Sequence, residues 1–244
     1  MKRTVLLLED DMNLGFVLQE HLESNGFVVT LRTNGEEGLV ETRGKKFDLC
    51  LVDVMMPRKD GFTFTKELRQ NDKETPVIFL TAKALKEDRI QGFMVGGDDY
   101  VTKPFSMEEL LLRIRAVLRR TTGQARKAGE RTEFKLGNSL FDSTWQTLTV
   151  KSSKRTLTAT ESQLLQLLCD RMNSVVDRSE ILKSVWGDDS YFNGRSLDVF
   201  ISRLRKYLAP DRSVEIMNVH GKGYKLVVRE AEEERTTKTP RTRR

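Results

Sequence analysis

Short apolar runs recur through the first half of this sequence, and the residues that end them constrain the fold more than any other feature. In the run at 49–54, five of six residues are apolar and two are valine, which is typical of a strand buried on both faces of a parallel sheet. Asp53 stands near the end of this run, and Pro57 and Asp60-Gly61 mark the loop that follows. Ligands of open α/β sheets bind at this end of the strands, so Asp53 is a candidate for chemistry.

Three further apolar runs end in polar residues, namely Glu9-Asp10-Asp11, Thr81-Ala82 and Lys103-Pro104. Asp10, Asp11 and Asp53 would repel one another without a cation, which predicts a divalent metal. Oxygen ligands with spare positions for water suit Mg²⁺. Lys103 and Thr81 would then neutralise and orient a phosphoryl group on Asp53.

The apolar runs alternate with helical patterns. We predict strands near 4–8, 28–31, 48–53, 76–80 and 99–102, and helices near 12–24, 35–43, 62–70, 86–95 and 107–120. Strict alternation with right-handed crossovers predicts an α/β fold, a five-stranded parallel flavodoxin-like domain.

Charge is distributed unevenly along the 244 residues. Residues 1–120 carry 19 Lys and Arg against 20 Asp and Glu, whereas the remainder carries 23 against 16. A basic second half behind a neutral first half indicates a polyanionic partner. Cys50 and Cys169 both lie in apolar runs, so we expect buried thiols in a reducing compartment. No run reaches membrane-spanning length and the N-terminus enters a strand at once, so we expect a cytoplasmic protein.

The second half shows strand patterns near 134–142 and 145–150, then three helices. The first helix follows a capping box at Thr158–Glu161, and the third, near 196–208, carries one apolar stripe of Leu197, Ile201, Leu204 and Leu208. Strands at 214–219 and 224–228 flank a basic, glycine-rich tip. This order predicts an α+β winged helix-turn-helix domain. We place the boundaries at 1–120, a flexible linker at 121–132, the second domain at 133–229 and a disordered tail at 230–244.

The set Asp10, Asp11, Asp53, Thr81 and Lys103-Pro104 resembles the receiver domain of two-component response regulators over residues 1–120. The resemblance implies that Asp53 accepts a phosphoryl group. It also implies that Asp10, Asp11, Asp53 and the backbone carbonyl of Met55 hold Mg²⁺. Thr81 would be the hydroxyl switch, Lys103 the phosphate contact and Tyr100 the aromatic residue that moves inward. A degenerate receiver that keeps the fold without the chemistry is the alternative.

The fourth and fifth predicted helices and the strand between them carry charges of both signs, as a surface that pairs with its own two-fold copy does. The charged residues of this face are Arg89, Asp98, Asp99, Glu109, Arg113, Arg115 and Arg120. By resemblance to OmpR/PhoB-type receivers, which dimerise through this face, we expect the pairs Arg89 with Glu109, Asp99 with Arg113 and Asp98 with Arg120 across a homodimer. Met94 stands where an acid is usual, which would leave Arg115 without its expected partner. A solvated charged face is the alternative.

Residues 131–229 resemble the OmpR/PhoB effector domain, chiefly at 195–206 and 221–224. The resemblance implies that the third helix enters the major groove and the hairpin tip touches the minor groove. The expected DNA contacts are Arg195, Val199, Phe200, Ser202, Arg203, Arg205, Lys206, His220 and Lys222. Arg203 should reach base edges and Lys222 a phosphate. Phe200 and His220 stand where His and Arg are frequent, which leaves the half-site sequence open.

These observations together predict a transcription factor, not an enzyme, that a sensor histidine kinase phosphorylates on Asp53 and that then dimerises on promoter half-sites. RNA polymerase is a further candidate partner. Two alternatives stay open: a DNA binder that does not depend on phosphorylation, and a receiver whose main output is a protein contact.

Overall fold

The structure is a computed structural model that describes residues 2–82, 91–92, 94–121, 132–187 and 191–229. Arg89, most of the predicted helix at 86–95, most of the linker and the tail at 230–244 lie outside these residues. The side chains of Arg120 and Arg195 lie outside the description as well.

The first half contains one parallel sheet of five strands in the order β2-β1-β3-β4-β5. The strands are β1 (Thr4–Leu8), β2 (Val28–Arg32), β3 (Leu49–Asp53), β4 (Val77–Thr81) and β5 (Asp99–Thr102). Every residue of β3 and β4 is buried, because helices cover both faces of the sheet. The predicted flavodoxin-like fold is confirmed.

Four helices of the described part flank this sheet: α1 (Met12–Ser24), α2 (Gly35–Gly44), α3 (Gly61–Asn71) and α4 (Met107–Thr121). The side chains of Asp11, Asn34 and Asp60 cap the first three by accepting hydrogen bonds from backbone N–H groups of the first turn. Short acidic or amide side chains before each helix therefore set where the chain turns back from the sheet.

The second half combines two antiparallel sheets with three helices. One sheet joins β6 (Glu133–Leu136), β7 (Ser139–Asp142), β8 (Thr147–Val150) and β9 (Ser153–Thr156). The other has the order β10-β12-β11, formed by β10 (Val175–Asp177), β11 (Val214–Val219) and β12 (Gly223–Val228). The helices are α5 (Ala159–Asp170), α6 (Arg178–Trp186) and α7 (Tyr191–Leu208), and the predicted winged helix-turn-helix is confirmed.

Two strands and one helix boundary differ from expectation. Strands β9 and β10 were not predicted, since β9 is a polar edge strand and β10 has only three residues. Helix α7 begins at Tyr191 and not near 196. The prediction placed its start too late because the first turn lacks the apolar periodicity that marks the later turns. The capping box before α5 is present, with Thr158 and Glu161 each bonded to the other's backbone N–H.

The two halves pack against each other. Helix α4 contacts α5 and α6, and one cluster of buried apolar side chains includes Phe79 and Tyr100 from the first half and Leu164 and Leu168 from the second. Within the described residues, no helix is long and apolar enough to cross a membrane.

Candidate functional site

The carboxyl ends of the parallel strands bring four polar side chains into one pocket. Glu9 follows β1, Asp53 ends β3, Thr81 ends β4 and Lys103 follows β5. Glu9, Asp53 and Thr81 are 1%, 5% and 0% exposed. Buried carboxylates persist only when they are paired or bind a cation, so this pocket requires positive charge.

Lys103 pairs with both buried carboxylates. Its Nζ donates to Oδ2 of Asp53 at 2.5 Å and to the two carboxylate oxygens of Glu9 at 2.9 and 2.8 Å. The other oxygen of Asp53, Oδ1, accepts from the backbone N–H of Met55 at 2.9 Å. The backbone N–H of Lys103 donates to the Thr81 carbonyl at 2.7 Å, which fixes the base of the lysine beside β4. The structure thus brings Asp53, Thr81 and Lys103 together.

The charges in this pocket do not balance. Burial raises the pKa of Glu9, hydrogen bonds from Lys103 lower it, and the Asp53 carboxylate raises it again, so that the pKa of Glu9 is about 7. Burial lowers the pKa of Lys103, but its hydrogen bonds to Asp53 and Glu9 outweigh burial and raise that pKa. One ammonium therefore faces two buried carboxylates, and Asp10 adds a third at the exposed rim.

Glu9, Asp10 and Asp53 form the acidic cluster of this pocket, with one oxygen of each within 4.8 Å of the others. The expectation that Asp11 belongs to it is wrong. Asp11 caps α1 instead, accepting from the N–H groups of Asn13 at 2.9 Å and Leu14 at 3.2 Å. Strand β1 ends at Leu8, so the first two acids after it, and not the second and third, reach the pocket. Three carboxylates with excess negative charge fit a hard divalent cation.

The loop behind Asp53 approaches the strand closely at Gly61. A Cβ on Gly61 would lie 2.2 Å from the carbonyl oxygen of Asp53, so no other residue fits there. The N–H of Gly61 donates to the Val54 carbonyl at 3.1 Å, and Asp60 caps α3 by accepting from the N–H of Thr63 at 2.9 Å. The Asp60-Gly61 loop signal of the sequence therefore positions the chain that supports Asp53.

Two other residues assigned to the pocket have different surroundings. The Met55 side chain is 55% exposed at the rim. Tyr100 is 4% exposed, with its ring centre 6.2 Å from that of Phe79, so it already lies inward in this structure.

Two of the three acids expected on an exposed dimer face, Asp98 and Asp99, are buried, whereas Glu109 is exposed. Asp98 is fully buried, and its Oδ2 accepts from Arg69 at 3.2 Å and from the N–H of Val77 at 3.1 Å. This differs from the expectation, because Asp98 has partners in its own half and is covered by the second half.

Asp99 is 3% exposed and pairs with Arg113 at 3.4 Å. Arg113 also pairs with Glu109 one turn earlier at 3.1 Å, while Arg115 is exposed. Arg113 is therefore paired with Asp99 and Glu109 within one chain here, an arrangement that the spacing of charges did not reveal. Met94, where an acid was expected, is 56% exposed.

Helix α7 buries the predicted stripe of Leu197, Ile201, Leu204 and Leu208, each at 1% exposure or less. Of the residues expected to contact DNA, Ser202, Arg205, Lys206, His220 and Lys222 are exposed. Nε of Arg205 also donates to the Ile216 carbonyl at 2.8 Å, which ties α7 to β11.

Phe200 and Val199 do not lie on the exposed side of α7 as expected. Phe200 is fully buried with its ring centre 5.7 Å from that of Trp186, and Val199 packs against the same core. Helices α5 and α6 and strand β11 all contact α7, so its buried face is wider than a single stripe. Phe200 is therefore a core residue.

Arg203 is also a packing residue rather than an exposed one. It pairs with Glu161 at 2.7 Å, and the two side chains are 12% and 2% exposed. Its Nε and Nη2 donate to the Tyr207 hydroxyl at 3.3 and 3.2 Å, and this hydroxyl donates to Glu161 at 3.0 Å. Burial lowers the pKa of Arg203, but Glu161 and Tyr207 outweigh it and raise that pKa. In this structure Arg203 therefore joins α7 to α5 and does not face a groove.

A second cluster, which the sequence patterns did not predict, joins the hairpin to the helices. Arg178 donates to Asp198 at 2.8 Å and to the Tyr224 hydroxyl at 3.1 Å, and that hydroxyl donates to Asp198 at 2.7 Å. Burial raises the pKa of Asp198, but hydrogen bonds from Arg178 and Tyr224 lower it below its usual value. The one acid within the basic stretch at 195–206 was the signal that could have indicated this contact.

Comparisons with known proteins match the two halves separately. Residues 5–115 match the response regulator receiver domain, and residues 152–226 match the C-terminal domain of transcriptional regulatory proteins.

Relatives match over nearly the whole chain. The transcriptional regulatory protein RprY of Bacteroides fragilis is 51% identical over 231 residues, covering 95% of this chain and 97% of that protein. The heme response regulator HssR of Staphylococcus epidermidis is 38% identical over 222 residues, covering 91% and 96%.

Solved structures agree with these matches. The response regulator DrrB of Thermotoga maritima, described as an OmpR/PhoB homologue, has a TM-score of 0.51 at 29% identity and covers 93% of this chain and 100% of its own. A RitR mutant has a TM-score of 0.71 at 26% identity, covering 93% and 99%.

Proposed function

Because this chain belongs to the OmpR/PhoB family of two-component response regulators, we propose that phosphorylation of Asp53 controls its binding to promoter DNA. The chain is a DNA-binding response regulator that controls transcription. The finer assignments are ours: a sensor histidine kinase as phosphodonor, Mg²⁺ as cofactor, a cytoplasmic location and a homodimer on DNA as the active form. We also propose a receiver domain at 1–120, a linker at 121–132, a winged helix-turn-helix domain at 133–229 and a tail at 230–244.

The observation that carries this proposal is the Lys103 ammonium 2.5 Å from the Asp53 carboxylate, beside the acidic cluster of Glu9 and Asp10. A carboxylate oxygen of Asp53 attacks the phosphorus of a phosphohistidine, the P–N bond breaks, and its electron pair leaves with the imidazole nitrogen. Lys103 then pairs with the new phosphoryl oxygens, and the Thr81 hydroxyl donates to one of them.

Glu9, Asp10 and Asp53, with the backbone carbonyl of Met55, would hold Mg²⁺, which neutralises charge on the phosphoryl oxygens. The pKa of Glu9 near 7 supports this assignment, because a carboxylate whose charge is so poorly compensated favours a bound cation. Asp11 is excluded from our ligand set, since both of its described bonds serve the α1 cap.

The test is phosphorylation by acetyl phosphate followed by DNA titration. Wild type should incorporate phosphate only with Mg²⁺ and bind DNA more tightly afterwards, whereas Asp53→Asn should do neither. Asp60→Asn is the matched control, because this nearby acid only caps α3. Equal incorporation into Asp53→Asn, or incorporation undiminished by EDTA, contradicts the proposal. DNA binding that is unchanged by phosphorylation would favour the phosphorylation-independent alternative.

We further propose that the phosphorylated chain dimerises through the face that carries Arg89, Asp98, Asp99, Glu109, Arg113, Arg115 and Arg120. Phosphorylation adds about −1.5 to −2 charge at Asp53, and Tyr100 and Thr81 connect that site to β4 and β5. Two effector domains joined in this way raise each other's effective concentration on tandem half-sites.

Charge reversal tests this dimer. Glu109→Lys should weaken the phosphorylated dimer in sedimentation velocity, and Arg89→Glu added to it should restore part of the loss. A double variant no better than the single one would refute the Arg89–Glu109 pairing.

For DNA contact we propose the exposed side of α7 and the hairpin tip, with Ser202, Arg205 and Lys206 on the helix and His220 and Lys222 on the tip. Their exposure and the basic charge of the second half support this surface. We add Arg195 to these proposed DNA contacts because it lies on the same helix, before Ser202, Arg205 and Lys206.

A further inference from the structure

One loop supplies the backbone carbonyl of Met55, which we propose as a Mg²⁺ ligand, and runs from there to Asp60. The N–H of Met55 donates to Oδ1 of Asp53 at 2.9 Å, so the loop begins at the proposed phosphoryl acceptor. Further along, Arg58 has a φ of 63°, a left-handed conformation that residues with a side chain rarely adopt. A backbone of this kind persists only where its surroundings hold it. The loop therefore requires a support outside itself.

The first turn of α2 provides this support. The N–H of Gly35 donates to the Lys59 carbonyl at 3.0 Å, which satisfies one of the N–H groups that have no partner inside the helix. A Cβ on Gly35 would lie 2.8 Å from that same carbonyl oxygen and 3.0 Å from the Cβ of Phe64. The backbone of the loop and the backbone of α2 are thus in direct contact, and the contact leaves no room for a side chain.

Charged side chains hold the loop on both sides of this contact. Oε1 of Glu37, in the same turn of α2, lies 3.6 Å from Nη1 of Arg58. The buried side chain of Asn34 donates to that oxygen at 2.8 Å and so fixes its position. On the opposite side, Nζ of Lys59 lies 2.6 Å from Oε1 of Glu67 in α3. The loop is therefore held between α2 and α3.

We propose that the first turn of α2, residues 34–37, is a positioning element that sets the affinity for Mg²⁺ through the loop at 55–60. The inference rests on the proposed function and adds to it residues outside the acidic cluster. A displacement of Lys59 moves the chain that carries the Met55 carbonyl four residues earlier. Groups that orient metal ligands from outside change metal affinity by about 10–100-fold when they are lost. Displacing the loop should therefore weaken Mg²⁺ binding while the receiver stays folded.

Three glycines of α2 allow matched variants. Gly35→Ala places a methyl group against the loop backbone and should push the loop away. Gly38→Ala lies one turn later, where the nearest neighbours of the methyl group would be the side chains of Leu8 at 2.8 Å and Phe64 at 3.0 Å. Gly44→Ala, at the end of the helix, would meet no atom of the described residues within 4 Å. Gly38→Ala therefore controls for packing strain and Gly44→Ala for the added methyl group.

The primary measurement is a titration of the full, unphosphorylated chain with MgCl₂, followed by the amide NMR shift of Met55. Gly35→Ala should raise the Kd for Mg²⁺ about tenfold, whereas Gly38→Ala and Gly44→Ala should stay within about twofold of wild type. Thermal unfolding without Mg²⁺, followed by circular dichroism, shows that each variant is folded. It should also show a lower midpoint for Gly38→Ala, so that lost stability and lost affinity are separated.

A charge change tests the same support without a change in packing. Glu37→Lys places two cations side by side and should raise the Kd for Mg²⁺ about twofold relative to Glu36→Lys, an exposed neighbour that receives the same charge. Adding Arg58→Glu should lower the Kd more in Glu37→Lys than in Glu36→Lys, because only the first combination restores a pair of opposite charges.

The outcomes separate this inference from the proposed function. Equal Kd values for Gly35→Ala and Gly44→Ala, or an equal rise in Gly38→Ala, overturn the inference and leave the proposed metal site in place. If Gly35→Ala does not fold, an equal effect of Arg58→Glu in the two lysine variants overturns the inference instead. A wild-type chain whose Met55 amide does not shift with MgCl₂ overturns the metal assignment of the proposed function, and the inference with it.

Discussion

Replacing Arg203 by alanine should destabilise the effector domain rather than alter its base preference. The substitution leaves the Glu161 carboxylate, 2% exposed, without its ionic partner at 2.7 Å. Breaking a buried pair from one side costs about 3–5 kcal/mol. We expect the lower end, about 3 kcal/mol, because Glu161 keeps hydrogen bonds from the Thr158 N–H and the Tyr207 hydroxyl.

Urea unfolding followed by tryptophan fluorescence measures this cost in the right domain. Both tryptophans, Trp145 and Trp186, lie in the effector domain, and Trp186 is buried in its core, so unfolding of this domain changes the signal. With an m-value of about 2 kcal/mol/M, a loss of 3 kcal/mol lowers the midpoint by about 1.5 M. Lys206→Ala is the control, since this exposed residue lies on the same helix and should change stability by less than about 0.5 kcal/mol.

Two results would refute the reasoning. The first is that Arg203→Ala has the same urea midpoint as wild type and a relaxed sequence preference at one base pair. That result would show that Arg203 contacts a base edge. The second concerns the double variant of Arg203→Met and Glu161→Gln. It should be more stable than Arg203→Met alone, because no uncompensated charge stays buried. Additive losses would show that the pair is not coupled.

Three further predictions use the pocket and the hairpin. Without Mg²⁺, the raised pKa of Glu9 means that the native state binds more protons than the unfolded chain between about pH 4.5 and 7. Receiver stability should therefore fall as pH rises through that window, and thermal unfolding should show that Mg²⁺ or Glu9→Gln removes the fall. Lys222→Ala should weaken binding to all DNA sequences alike and flatten the salt slope by roughly 0.9, whereas a changed sequence preference would argue against a phosphate contact. Tyr224→Phe should lower the free energy of unfolding of the effector domain by about 1–2 kcal/mol, read from tryptophan fluorescence, because Asp198 loses a hydrogen bond.

The alternation of apolar runs was enough to predict the receiver sheet, because a strand that is buried on both faces must be apolar along nearly its whole length. The choice between Glu9-Asp10 and Asp10-Asp11 was not available from the sequence. It depends on whether β1 ends at Leu8 or one residue later, and three consecutive acids look alike in either case. A one-residue difference there exchanges a member of the acidic cluster for a helix cap.

The assignment of Arg203 failed for a different reason. A helical stripe shows which residues face one neighbour, but α7 is contacted by α5, α6 and β11 together. The sequence predicted only the capping-box role of Glu161. Its other carboxylate oxygen accepts from the hydroxyl of Tyr207, which is 46 residues away in the chain. Burial of Asp98 likewise depends on domain packing, which no local pattern encodes.

The cluster of Arg178, Asp198 and Tyr224 has a consequence for the shape of the DNA site. Because the cluster fastens the hairpin to α7, the protein fixes the distance between the two DNA contacts that we propose, one on the helix and one on the hairpin tip. One inserted base pair within a half-site displaces the far contact by about 3.4 Å and rotates it around the duplex. On the DNA surface that we propose, such an insertion removes one of the two contacts of the domain.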